Sequence, residues 1–120
     1  MKVAFTSTDG ITVDEHFGRA RSFHVWEVGP DAARFVHAVA VVAAGDEEDR
    51  TAAPANAVAD CAIVCTAEIG GPAAAKLVAR RIHPMKAAAV PVADVVARLQ
   101  GVLRGRPPPW LRRAMATDES

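Results

Sequence analysis

A five-stranded mixed α/β sheet with helices on its faces is the fold predicted by this 120-residue sequence, and three observations predict it. Three β-rich runs, around Val3-Ala4-Phe5, Ser22–Val28 and Arg34–Ala43, fill the first part of the chain. From Pro54 onward, helical and extended segments alternate. The run Cys61-Ala62-Ile63-Val64-Cys65 is almost wholly apolar, as expected of a strand at the centre of a parallel sheet. The first strand is therefore placed between the second strand and the Cys61–Cys65 strand, the arrangement of ribonuclease-H-like folds.

Each element has a local reason. Met1-Lys2 leads directly into the first strand, which exits through Asp9-Gly10 into a loop, a segment free in placement. Phe23, His24, Val25, Trp26 and Val28 make the second strand, and Gly29-Pro30-Asp31 is turn chemistry. So short a connection makes the third strand antiparallel to the second. His24 and His37 lie in these strands and read as sheet-face residues. Gly45 to Arg50 is an acidic surface loop, and Pro54 suits the first turn of a short helix over Ala55 to Ala59. After the Cys61–Cys65 strand, Thr66 to Gly71 is a loop and Pro72 to about Arg81 a helix, with Lys76, Arg80 and Arg81 where cations suit its dipole. His83-Pro84 begins an extended piece running to Val90. The last helix begins near Pro91, ends by Gly101 or Gly105, and shows Val92, Val95, Val96, Leu99, Val102 and Leu103 at helical spacing. Pro107-Pro108-Pro109 then forbids helix from continuing at once.

The composition, 51% hydrophobic and 23% charged, is that of one globular domain, taken as residues 1–106 with a Pro-rich tail over 107–120. No apolar run reaches the roughly 20 residues of a membrane span, so a cytoplasmic, membrane-free protein is expected. A net charge of zero hides an asymmetry: residues 1–60 carry five Lys/Arg against ten Asp/Glu, and residues 61–120 nine against four. The basic half lacks the spaced aromatics of a base-stacking platform, so no nucleic-acid partner is expected. Two cysteines are too few for a disulfide framework. On one strand Cys61 and Cys65 would share a face about 13 Å apart, too far for a disulfide or one metal ion.

Open α/β sheets bind ligands beyond the carboxyl ends of neighbouring parallel strands. Here those ends are Thr6-Ser7-Thr8-Asp9 and Cys65-Thr66-Ala67-Glu68. The loop Asp14-Glu15-His16-Phe17-Gly18 and the Gly70-Gly71-Pro72 turn reach the same rim, whereas Cys61 and His83 fall near the opposite one. A neutral imidazole and a thiolate are soft ligands suited to iron–sulfur chemistry, and the Gly70-Gly71 turn offers uncrowded backbone N–H groups to an anion. Two protein ligands, His16 and Cys65, are too few for a closed zinc or four-cysteine site. Such a rim suits loose holding of a preassembled anionic cluster, with Ser7, Asp9, Glu15, Phe17, Gly18, Thr66, Gly70 and Gly71 around it. Phe17 and Gly18 read as supporting residues, the first packing the loop and the second serving a backbone turn.

These same strings, Thr6-Ser7-Thr8-Asp9-Gly10, Val13-Asp14-Glu15-His16-Phe17-Gly18, Ile69-Gly70-Gly71-Pro72-Ala73-Ala74, Ile82-His83-Pro84 and Pro107-Pro108-Pro109-Trp110-Leu111, resemble the dinitrogenase iron–molybdenum cofactor biosynthesis family. The resemblance covers about residues 1 to 115. It implies a ribonuclease-H-like fold without enzymatic activity. It also implies transient binding of the iron–sulfur precursor cluster made by NifB and its transfer to the NifEN scaffold. Family members use the His of the loop after the first strand for the cluster, which here is His16. Cys65 as a second contact follows from strand position alone. The additional N-terminal domain of NafY-like members is not expected here.

Two other classes are expected to fail. A ribonuclease-H-type nuclease needs carboxylates converging on two divalent metals, and Asp9, Asp14, Glu15 and Glu68 reach the rim, but beside a His and a Phe on a loop. A thiol redox or regulatory protein would use Cys61 and Cys65, which lack the helix dipole and the reach of a Cys-x-x-Cys pair.

Overall fold

The pairing of the first strand organises the sheet. In the computed structural model, which describes residues 1–41 and 52–113, β1 (Lys2–Thr6) is flanked by β2 (Ser22–Val28), antiparallel, and by β4 (Ile63–Thr66), parallel. β3 (Ala33–Ala40) pairs antiparallel with β2, and β5 (His83–Lys86) pairs parallel with β4. The order β3-β2-β1-β4-β5 is the five-stranded mixed sheet expected from the sequence. Among the described residues, helices α1 (Ala52–Ala57), α2 (Gly71–Ala79) and α3 (Val92–Arg104) pack against this sheet, and a further helical stretch covers 109–113. The expected acidic loop Gly45 to Arg50 and positions 42–43 of the expected third strand lie outside the described residues, within 42–51, as do residues 114–120.

Alternation along the strands divides the core into two layers. Val3, Phe5, Ile63 and Cys65 pack with Val92, Val95, Val96 and Leu99 of α3. Ala4, Val64, Phe23 and Val25 pack with Phe17, Ala55, Val58, Ala73 and Leu77, on the side of α1 and α2. Among the described residues no helix is long and apolar enough to cross a membrane.

Several expectations are corrected. Cys61 precedes β4 instead of lying in it, and its side chain joins the α1/α2 layer whereas Cys65 joins the α3 layer, so the two thiols occupy opposite faces. β5 ends at Lys86, not Val90, because the next residues turn away to bond the loop after β1: Val13 N–H donates to Val90 O at 2.9 Å and Ala89 N–H to Val13 O at 2.9 Å. That loop is consequently fixed in place. Helix α1 starts earlier than Ala55, with Pro54 buried. Helix also resumes over 109–113 directly after the prolines, where Pro109 fits a first turn. There Leu111 is fully buried in the α3 layer, and Trp110 stacks on His83 with ring centroids 4.1 Å apart.

Candidate functional site

The loop from Ser7 to Gly18 runs along the carboxyl ends of β1 and β4, and hydrogen bonds close it on itself. The Asp9 carboxylate accepts from the N–H groups of Ile11 at 2.8 Å and Thr12 at 3.1 Å, bonds that hold its pKa below the usual carboxylate value. Ser7 Oγ accepts from Gly10 N–H at 2.9 Å. The Asp14 carboxylate accepts from Thr8 N–H at 2.9 Å and Thr8 Oγ1 at 2.6 Å. Ser7, Asp9 and Asp14 are therefore engaged in shaping the loop.

Glu15 O is the anchor. It accepts from Thr6 Oγ1 at 2.9 Å and from Ala67 N–H at 3.1 Å, while the buried Thr66 hydroxyl lies 3.0 Å from it and 3.0 Å from Glu68 O. With one proton per hydroxyl, Thr6 serves Glu15 O and Thr66 serves Glu68 O. Phe17 N–H donates to Glu68 O at 2.9 Å, forming a parallel bridge between His16 and Glu68. Phe17 is fully buried, 5.7 Å from the Phe23 ring. It pins a 3₁₀ turn, Phe17–Arg19, at whose entrance His16 is exposed.

Gly18 of this loop and the two glycines at the start of α2 leave open space. Gly18 and Gly71 have no atom within 4 Å of where a Cβ would stand, and Gly70 has only Pro72 Cδ at 3.9 Å. Gly18 lacks a positive φ, so the turn does not require glycine; its effect is open space. Gly70 caps α2 without a side-chain hydrogen bond, and Pro72 lies in the first turn as expected. Glu68 pairs with Lys86 at 2.8 Å; this bond, with a smaller contribution from His16, keeps the Glu68 pKa low. Glu15 lines a cleft together with Ser7, Thr8, Arg21 and Ser22.

The structure thus brings His16, Gly18 and the loop before Gly70-Gly71 together and leaves Cys65 out. The Cys65 side chain is 0% exposed in the α3 layer, and burial pushes its pKa to about 12. A thiol so placed remains protonated at neutral pH and is a poor ligand for a surface cargo. Among the described residues no group of three or more His, Cys, Asp or Glu side chains could hold a metal ion. Sequence reasoning placed Glu68 at the rim without giving it a part in binding and left Lys86 out, although Lys86 ends β5 in register with Thr66, and Glu68 follows Thr66 two residues later.

Fold and rim together define an α/β domain that presents an exposed histidine on an anchored backbone beyond the carboxyl ends of the neighbouring parallel strands β1 and β4. The sequence profile described as "Dinitrogenase iron-molybdenum cofactor" matches residues 1–101. Protein NifX of Herbaspirillum seropedicae is 43% identical over 119 residues, 96% of this chain and 82% of its own. Protein NifX of Rhodobacter capsulatus is 36% identical, covering 99% of this chain and 80% of its own. Protein NifY of Azotobacter vinelandii is 36% identical over 98% of this chain, which spans about half (49%) of NifY. The crystal structure of PH0822 superposes with a TM-score of 0.68 at 24% identity, covering 84% of this chain and 91% of that one, a likeness of fold alone. The chain belongs to the dinitrogenase iron–molybdenum cofactor family and has a role in nitrogenase cofactor biosynthesis.

Proposed function

We propose that this protein is a non-enzymatic cytoplasmic carrier that binds the NifB-made iron–sulfur precursor of the iron–molybdenum cofactor at His16 and passes it to the NifEN scaffold. The observation that carries this reading is an exposed imidazole on a backbone fixed from both sides, by Glu15 O and by Phe17 N–H. Neutral imidazole is a good ligand for iron, and a ligand held in one place loses little freedom on binding. Gly18 nearby leaves room for a bulky inorganic cargo, and Gly70 and Gly71 keep the start of α2 equally uncrowded. A cargo that brings its own sulfide shell needs few protein ligands, which is consistent with one imidazole and no thiol. Weak attachment in turn favours hand-on over storage.

Anaerobic titration of the isolated precursor cluster, followed by its visible spectrum, tests the reading. The native chain takes up roughly one equivalent and releases it to the scaffold. His16→Ala lowers affinity at least about tenfold, the scale of losing a ligand bond, without altering the melting curve. Equal uptake by the variant would refute the assignment.

A further inference from the structure

The geometry points to Glu68 as a positioning residue for His16, accepting the ring N–H opposite the metal-binding nitrogen, with Lys86 as the counter-charge that keeps this carboxylate from repelling an anionic cargo. The inference rests on the carrier reading above. A ligating imidazole almost always gives its second ring N–H to a carboxylate, a carbonyl or water, and that bond sets tautomer and ring direction. Glu68 is the carboxylate placed for this by the backbone. The bridge between His16 and Glu68 sets the two residues side by side, and Phe17 N–H and Thr66 Oγ1 both hold Glu68 O, at 2.9 Å and 3.0 Å. Of the nearby carboxylates, Asp14 is engaged with Thr8, and Glu15 lines the cleft that Arg21 also lines.

A carboxylate beside an anion's landing place is unfavourable unless offset. Lys86 Nζ lies 2.8 Å from Glu68 Oε1, both side chains about half exposed, so the offset is in place before cargo arrives. Lys86 is also the last residue of β5, level with Thr66, which sets it at the rim without a loop of its own.

Cluster titration of the full chain with Glu68→Ala, Glu68→Gln, Lys86→Met and His16→Ala tests the inference, together with ring ¹⁵N spectra of the cargo-free protein. Glu68→Ala is expected to weaken uptake about tenfold, the lower end for removing such a partner, while melting normally. Glu68→Gln recovers part of that loss because its amide oxygen still accepts. In Glu68→Ala the His16 ring ¹⁵N shifts move toward those of the exposed His37. Lys86→Met weakens uptake at low salt, and the difference closes as salt screens the charges. Unchanged or tighter uptake by Glu68→Ala, while His16→Ala still weakens it, overturns the role of Glu68 and leaves the carrier reading standing. An unimpaired Lys86→Met at low salt overturns the counter-charge. Unimpaired uptake by His16→Ala overturns both the carrier site and this inference.

Discussion

Two glycines of one loop show how differently the same residue type is used. Gly10 has φ 77°, and a Cβ there would meet His24 Cε1 at 3.1 Å, so both conformation and space demand glycine. Gly18 meets neither demand. Gly18→Ala is therefore expected to change stability by no more than about 0.5 kcal/mol, while Gly18→Leu keeps the fold and lowers cluster uptake at least about tenfold. Thermal melts and anaerobic titration of both variants check this; a Leu variant that loads normally would show that the space is not used. The position of His16, exposed on the loop after β1, was legible in the sequence because Asp9-Gly10 ends the strand before it. The fate of Cys65 was not, for a physical reason: Cys61 to Cys65 is apolar throughout, so no alternation reveals which face a side chain takes, and only the packing of α3 decides it.

At the scale of elements, the carboxyl end of β4 is where sheet and loop are joined. Thr66 is fully buried, and its hydroxyl serves Glu68 O, the carbonyl that also receives Phe17 N–H. Thr66→Val preserves shape and removes that donor, so a loss of about 1–2 kcal/mol is expected. Urea denaturation should register it, and amide exchange at Phe17 and Ala67 should quicken more than at core positions of β1. Exchange unchanged at both amides would mean that the backbone bonds alone hold the loop. Strand order was legible because it follows from short connections and apolar runs. The end of β5 was not, since residues 87–90 are drawn off by Ile11–Val13, partners far away in sequence: Val92 N–H donates to Ile11 O at 2.7 Å, beside the Val13 bonds. The two threonine hydroxyls were equally hidden, because a Thr in a strand reads only as a β-former.

Taken whole, the molecule has two ends with separate tasks. The imidazole of the candidate site stands at one rim; at the other, Trp110 lies over His83 at an interplanar angle of 19° and Leu111 closes the core. Burial first, and then the nearby Arg113 charge, lower the His83 pKa below its ordinary 6.5. The unfolded chain thus binds the proton more readily, so this contact contributes fully above pH 6.5 and is lost as pH falls toward the folded pKa. In a Trp26→Phe background, Trp110 fluorescence should report loosening as pH falls below 6.5, reduced in His83→Phe. Trp110→Ala should cost about 1–2 kcal/mol and leave cluster uptake unaltered. A tail that stayed docked throughout the acid range would contradict the stacking argument. The hook at the other end has a different consequence. It is a main-chain oxygen, supplied by whatever amino acid occupies position 15, so relatives are free to respell this stretch while inheriting its shape, and a search for the motif by letters alone will overlook some that possess it.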